Sequence, residues 1–333
     1  MGAEVYILGM GSVSNIGPLS SDTIDCSFEP LSMSGGRVEA PDFPVEKYIT
    51  KKRDINSMGL GQKLLVCAAG LALEDGGLLG TDISDCDIYM ASKIGERNDE
   101  VDTAIMAGAS RADLDINTEL ARLRPTHFLA ELPNLYSANI AMMFGAKGES
   151  VTFVGEASAS VLAVTHAIEK LSSGQATRSI VGGVFNGAQK IHDEYQASIK
   201  ARAETREFIF GCAATCLVLS RDSEGAVAKL RRVERFNFDD LAKQVRESEA
   251  MAVSVSLHPG ADLPSGWTAE VLKVPVLDIA HYLGSVFEAT LPTQVLLSLL
   301  YFKKTLEPQP GQRVLLIAQV GHARFEAFCL DVL

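Results

Sequence analysis

The sequence lacks the cysteine and histidine spacings that build metal or disulfide sites. Its six cysteines are scattered and include no CxxC pair, and its six histidines show no HExxH pattern. Because unpaired cysteine is usually a buried, hydrophobic residue, these thiols are expected in the core. Residues 7–17 contain Gly9 and Gly11 but no third glycine at the spacing of a dinucleotide-binding turn. We therefore expect neither a metal nor a cofactor.

Positive charge and long apolar runs are also scarce. The net charge of −12 argues against nucleic acid as a partner, since phosphate binding needs an excess of Lys and Arg. Two small basic clusters, 51–53 and 229–235, are typical either of solvated faces or of a docking patch for an acidic carrier protein. No apolar run approaches the ~20 residues that span a bilayer. With no export leader visible, the expectation is a cytoplasmic protein outside the membrane.

Strand-like and helix-like segments alternate along the whole chain, and the chain is long enough to bury a large core. The strand-like runs lie at 5–9, 87–91, 151–154, 180–184, 209–219, 252–257 and 314–318. Helical periodicity marks 60–78, which ends in a glycine pair, and 295–304. Such alternation predicts a layered α/β protein with helices packed on a sheet.

The segment 150–184 predicts a strand, a turn, a helix and a second strand, with Ser158 near the first turn of the helix. Unpaired backbone N–H groups and the helix dipole at that position favour a developing negative charge. They would therefore assist a nucleophile. Serine is equally a favoured helix-capping residue. The residues alone leave open whether Ser158 is reactive or structural.

The same segment resembles the nucleophile region of the β-ketoacyl synthases, the condensing enzymes of fatty acid and polyketide synthesis. In that family a strand runs into a turn of the TACSS kind, and Glu156, Ala157 and Ser158 fall on its Thr, Ala and nucleophilic Cys. Residues 5–17, 128–153 and 206–220 are similar to further family segments in the same order. The resemblance implies the thiolase fold, two βαβ-rich halves in α/β/α/β/α layers. It places the halves at 1–220 and 221–333, the second half being shortened. It also implies that the segment before His258 is trimmed to one helix, 238–250.

The family's other functional positions carry different residues here. His258, in VSLHPGAD, matches the first family histidine, or is simply a loop histidine beside a proline. The threonines that contact a phosphopantetheine arm fall on Gly260 and Asp262. The family's lysine and second histidine fall on Ala280 and Ser285. Its C-terminal glycine-rich loop falls on 318–328, where His322 takes the place of the gating phenylalanine.

These replacements resemble those of the chain-length factors, the non-catalytic subunits that pair with active ketosynthases. The resemblance implies a heterodimer with an active ketosynthase, served by an acyl carrier protein through that partner, in which the strand 150–154 pairs across the dimer axis. Five residues are tunnel or interface candidates, with core packing as the alternative: Phe128, Leu129, Leu132, Tyr136 and Met142. Two other hypotheses are a serine-dependent acyltransferase or thioesterase-like enzyme using Ser158 and His258, and a homodimeric scaffold.

Overall fold

The computed structural model describes most of the chain, and the strands alternate with helices as the sequence predicts. The described residues are 4–23, 28–31, 38, 42–109, 116–201, 207–233, 238–321 and 324–333. Their strands are β1 (Glu4–Ser14), β2 (Gly17–Ser20), β3 (Asp87–Ser92), β4 (Ser150–Val154), β5 (Arg178–Asn186), β6 (Cys212–Ser220), β7 (Ala228–Arg232), β8 (Ala250–Ser256), β9 (Val276–Asp278), β10 (Arg313–Gly321) and β11 (Arg324–Val332).

Helices connect these strands. They are α1 (Val45–Tyr48), α2 (Lys52–Ser57), α3 (Leu60–Asp75), α4 (Asp99–Ala109), α5 (Ile116–Leu120), α6 (Pro125–Glu131), α7 (Asn134–Phe144), α8 (Ala157–Ser172), α9 (Ile191–Lys200), α10 (Leu241–Ser248), α11 (Ala269–Leu272), α12 (Ala280–Leu283) and α13 (Thr290–Leu306). Short 3₁₀ turns precede α10, α11 and α13. No helix among the described residues is long and apolar enough to cross a membrane.

The strands form one mixed sheet in the order β4-β3-β5-β6-β1-β7-β11-β10-β8-β9, with β2 paired to β1. In each half, three neighbouring strands are parallel, β4-β3-β5 and β9-β8-β10, and the next strand, β6 or β11, runs antiparallel to them. The first half contains β1, β3, β4, β5 and β6, and the second contains β7 to β11. When the five strands of each half are numbered in chain order, both halves have the order 3-2-4-5-1 from the outer edge inward. The two sets meet where β1 pairs with β7.

Three hydrophobic clusters separate the helices into layers. The largest cluster contains the buried faces of α8 and α13 together with strands from both halves, so these two helices form a central layer. A second cluster joins α3 and α7 to the opposite face of the first half, and a third joins α10 and α11 to β8 and β10. The result is two sheet halves with helices between them and outside them.

Two consecutive residues of α13 link the central layer to both halves of the sheet. The hydroxyl of Thr293 lies 2.7 Å from that of Thr215 in β6, which in turn lies 2.9 Å from the Ser12 hydroxyl in β1. The Gln294 amide donates to the carbonyl oxygens of Ser254 and Ile317, at 2.9 and 3.1 Å. Because all of these groups are buried, their hydrogen bonds fix α13 against β1, β6, β8 and β10.

Some segments differ from the sequence prediction. Residues 238–250 were expected to form one helix, but they contain a 3₁₀ turn, α10 and the start of β8. Glu249 adopts a left-handed conformation with φ of 54°, which ends α10 one residue before the strand. The expected glycine-rich loop after 318 is instead the end of β10 followed by β11. An apolar run such as FEAFCLDV fits a strand once its partner β10 is in place.

Candidate functional site

The turn between β4 and α8 holds Ser158 in the first turn of the helix. β4 ends at Val154, Glu156 is the residue before the helix, and the Glu156 carbonyl accepts the Ala159 N–H at 2.8 Å. Ser158 is partly exposed. This is the local geometry in which a side chain can be presented to a cleft at the carboxyl ends of the strands.

A narrow cleft lies beside this turn and brings together several positions that are far apart in the sequence. It is lined by Glu156 and Ala157, by His258, and by Ala280 and Ser285. These are the positions at which the resemblance places the nucleophile turn, the first histidine, the lysine and the second histidine. Ser158 itself does not line the cleft.

Glu156 occupies the centre of the polar contacts in the cleft. Its Oε2 lies 3.5 Å from Nε2 of His258, and its Oε1 accepts a hydrogen bond of 2.9 Å from the Tyr195 hydroxyl. The contact with His258 is the main reason why the pKa of Glu156 is lowered; burial opposes it and Tyr195 adds to it. The carboxylate therefore stays ionised and attracts the imidazole when that ring is protonated.

Both nitrogens of the His258 ring face oxygen atoms. Nε2 faces Glu156, and Nδ1 lies 3.4 Å from the carbonyl oxygen of Pro259. The backbone N–H of His258 donates to the Gln319 side chain at 2.8 Å, which holds the loop against β10. Ser158 and His258 are both among the described residues, and the Ser158 hydroxyl makes no hydrogen bond to the His258 imidazole. A serine needs such a base to attack a thioester.

The mouth of the cleft is acidic. A second hollow that shares His258, Ala280 and Ser285 is also lined by Glu207 and Asp278. Asp262, where the resemblance places an arm-binding threonine, is exposed beside it, and Gly260 lines it with φ of 78°. Carboxylates at this mouth repel the phosphate of a carrier arm.

A further carboxyl group, Glu288, is buried behind the cleft in the turn before α13. It is 2% exposed, and its Oε2 has no hydrogen-bond partner. Burial raises the pKa of Glu288 to about 8, although the positive charge of Lys93 opposes the shift. Glu288 is therefore mostly protonated at neutral pH. The preceding residue, Phe287, has a φ of 31°, a left-handed conformation that is unusual for an aromatic residue.

The described cysteines do not replace a catalytic thiol. They are buried and unpaired at positions 67, 86, 212, 216 and 329. Burial raises the pKa of each of these thiols, so none is held as a thiolate. Nor do the described residues contain a group of three or more His, Cys, Asp or Glu side chains placed to hold a metal ion.

The five tunnel or interface candidates fall into two environments. Phe128, Leu129, Leu132 and Met142 are exposed, whereas Tyr136 is only 3% exposed and packs in the core with α3. Burial strongly raises the pKa of the Tyr136 hydroxyl. Exposure suits a contact with another chain for the first four residues, and the position of Tyr136 suits packing within this one.

The strand β4 is one edge of the sheet and is flanked by exposed apolar side chains. Val154 in the strand is 49% exposed, and Met142 in α7 and Leu162 in α8 are exposed on the helices that pack against it. We call these three residues and β4 the edge surface. An open strand with apolar neighbours is a ready template for pairing with another chain.

Two further histidines, His281 and His322, lie in the second half of the chain. His281 lies in α12 with its ring 5.3 Å from that of Tyr282, away from the cleft lining. His322, the predicted gate residue, lies outside the described residues. Sequence reasoning did not identify Glu156 and Tyr195 as contact residues of the site. The replacement of the family's threonine by an acid at 156 was the available signal.

Comparisons with known proteins identify the family and the fold of the chain. Residues 13–194 match the family model for the N-terminal domain of β-ketoacyl synthases. A search of the curated proteins found no match.

Solved structures share the fold over the whole chain. A chain from a complex of a type II polyketide synthase acyl-carrier protein with its ketosynthase is 15% identical, with a TM-score of 0.77 and 100% of both chains covered. A β-ketoacyl synthase from Burkholderia phymatum STM815 is 16% identical, with a TM-score of 0.69 and 100% and 99% covered. The ishigamide ketosynthase/chain length factor is 17% identical, with a TM-score of 0.66 and the same coverage.

These structures confirm the thiolase-like fold that the sequence resemblance implies. The family match covers more than half of the chain and includes the strand, turn and helix around Ser158. The chain belongs to the β-ketoacyl synthase family.

Proposed function

We propose that the chain is a non-catalytic ketosynthase-like subunit, a chain-length factor, that pairs with an active β-ketoacyl synthase. The pair would extend chains on an acyl carrier protein in type II polyketide or fatty-acid-like synthesis. The observation that carries the proposal is the cleft itself: Glu156, His258, Ala280 and Ser285 meet there, with a hydroxyl rather than a thiol at position 158. Condensation needs a nucleophile and groups that stabilise a carbanion and an oxyanion. Ala280 and Ser285 cannot replace a lysine and a histidine in that task.

The electrostatics of the cleft support the same proposal. Glu156 is an ionised carboxylate beside the nucleophile position, and Glu207 and Asp278 line the mouth. A malonyl group and a phosphopantetheine arm are both negatively charged, so each would meet like charge here. An active partner would have to bind the carrier arm.

The edge surface supports pairing with a second ketosynthase-like chain. β4 offers unpaired backbone groups over five residues, and Val154, Met142 and Leu162 surround it with apolar contacts. One structural neighbour is described as a ketosynthase with its carrier protein, and another as a ketosynthase/chain length factor. For this chain we propose a heterodimer with an active ketosynthase, and a carrier protein that acts through the partner.

We also propose that 1–220 and 221–333 are the two halves of the chain, the second shortened. The repeated strand order supports this division, and the boundary lies between β6 and β7. Phe128, Leu129, Leu132 and Met142 remain proposed tunnel or interface residues.

The test is co-expression with a type II ketosynthase that retains its cysteine and both histidines. We expect a one-to-one complex by size-exclusion chromatography with light scattering, and condensation that needs both chains. Intact-mass analysis with an acyl-carrier thioester should place the acyl group on the partner alone. Ser158→Ala in this chain should leave condensation unchanged, while Cys→Ala in the partner should abolish it.

Two outcomes would contradict the proposal in different ways. An acyl adduct on this chain that disappears in Ser158→Ala would establish the serine-dependent acyltransferase or thioesterase-like enzyme, with His258 as its base. A stable homodimer that does not exchange subunits with the ketosynthase would establish the homodimeric scaffold.

A further inference from the structure

A cleft beside the ends of β3 and β5 contains a lysine amine close to an imidazole. Lys93 is the first residue after β3, and His192 is the second residue of α9. Lys93 Nζ lies 2.9 Å from Nδ1 of His192. Both side chains line the cleft, together with Ile94, Tyr136 and Phe185.

The imidazole is held rigidly. His192 is 4% exposed, and its ring centroid lies 4.9 Å from that of Phe185 and 5.9 Å from that of Phe210. Since these rings fix the plane of the imidazole, Nδ1 points at the lysine amine in the folded protein. A fixed imidazole at hydrogen-bond distance can take a proton from an amine and return it.

The cleft favours the neutral form of the lysine. Burial lowers the pKa of Lys93, although Glu288 and Glu156 lie near enough to oppose the shift. Glu288, being mostly protonated, adds little negative charge there at neutral pH. The neutral amine, which this lowering of the pKa favours, is the form in which lysine acts as a nucleophile.

The surroundings also indicate which ligands fit. Glu96 lines the same cleft, with its two oxygens hydrogen-bonded to the Gly61 N–H and the Asn186 amide, both at 2.9 Å. The ionised carboxylate of Glu156, which is near enough to act on the lysine, disfavours an anionic ligand there. Ile94 is 72% exposed and gives the mouth an apolar side. A neutral, partly apolar molecule is therefore favoured.

We propose that Lys93 and His192 form a carbonyl-binding site at which the lysine amine condenses with a ketone or aldehyde to give an imine. Lys93 Nζ attacks the carbonyl carbon, and a C–N bond forms. His192 takes a proton from the nitrogen and delivers one to the oxygen, which gives a carbinolamine. The second nitrogen proton follows the same route, and the C–O bond breaks to release water. The imidazole is unchanged at the end, and no oxidant or reductant is needed. This site shares no lining residue with the cleft at Glu156 and His258, and it does not depend on the proposed subunit role.

The probe is pentane-2,4-dione, a β-diketone whose imine rearranges to a stable enaminone that absorbs in the near ultraviolet. The purified full-length chain should gain one diketone less one water, and peptide mapping should place the adduct on Lys93. We expect Lys93 to react at least about tenfold faster than Lys63 at the same pH, because a buried amine beside a base is the better nucleophile. Lys63 lines a different cleft and serves as the internal reference.

Two variants separate nucleophile from base. Lys93→Arg should remove the fast phase of the near-ultraviolet absorbance and leave the slow labelling of Lys63 unchanged. His192→Phe keeps the aromatic packing and should slow labelling of Lys93 several-fold. Reaction spread evenly over the lysines, or reversible binding of the diketone without an adduct at Lys93, would overturn the proposal. The mapping on the unmodified chain decides this even if a variant does not fold.

Discussion

The two ends of the sheet occupy equivalent places in the two halves but present different surfaces. β4 ends the first half with five residues, and β9 ends the second with three. Val154 in β4 and Val271 in α11, near β9, are 49% and 47% exposed. The first edge is long enough to pair with a strand of another chain and has apolar neighbours. The second is too short for a stable pairing. The same strand order thus yields one edge that is suited to assembly and one that is too short for it.

The largest expected effect on assembly comes from placing a charge on each edge in turn. Val154→Asp should weaken the proposed heterodimer by ~100-fold or more, because the carboxylate would lose its hydration in the interface. Val271→Asp is the matched control and should leave the dissociation constant unchanged. Analytical ultracentrifugation measures both. Equal weakening by the two variants would show that β4 is not the docking edge.

Helix α13 is hydrogen-bonded to both halves, and the two links should differ in how much they stabilise the fold. Gln294→Ala should lower the free energy of unfolding by about 3 kcal/mol, because it leaves a cavity and removes a donor from Ser254 and Ile317 in the second half. Thr293→Val removes one hydroxyl contact to the first half and should cost about 1 kcal/mol. Urea unfolding checks the difference. A larger loss for Thr293→Val would reverse the assignment of the stronger link.

Glu156 lies just before α8 and Glu288 just before α13, and the pKa values of these two carboxyl groups are shifted in opposite directions. The folded-state pKa of Glu288 is raised from 4.5 to about 8, so the native state holds a proton that the unfolded state loses. The contribution of Glu288 to the free energy of unfolding therefore falls as pH rises from about 4.5 to about 8. Glu288→Gln should remove this slope and stabilise the chain at pH 8 by on the order of 4 kcal/mol. An unchanged slope in the variant would contradict the buried, protonated state.

The pH dependence of stability that Glu156 contributes should have the opposite sign and be smaller. Because its folded-state pKa is lowered, its contribution is present above the unfolded pKa and is lost as pH falls. The side chain is half-exposed, so Glu156→Gln should cost at most about 0.5 kcal/mol at neutral pH. Thermal unfolding at several pH values measures this. A loss as large as that caused by Gln294→Ala would mean that the contact with His258 is a major stabilising element.

The long, regular elements were predictable from the sequence, and the short or irregular ones were not. Apolar alternation and helical spacing identified β4, α8 and α3, because each carries a periodic pattern over at least five residues. β9 has three residues and no period to detect. β11 was missed because the family resemblance indicated a glycine-rich loop there.

The candidate site was predictable only in part, for a related reason. The resemblance located Ser158 and His258, but it carried no information on the contact between Glu156 and His258, since both partners of that contact differ in context from the family. Lys93 and His192 are 99 residues apart and share no motif. Only the ends of β3 and β5, neighbours in the sheet, bring them together.

β1 has a consequence for the order in which the chain acquires its structure during synthesis. It pairs with β6 on one side and β7 on the other, and Ser12 contacts Ala214, 202 residues later. The strand therefore leaves the ribosome long before β6 and β7 are synthesised, and until then its apolar side chains lack their native contacts. Contacts of such sequence separation slow folding and expose strands to misassociation. We expect the nascent chain to depend on chaperones until β7 has emerged.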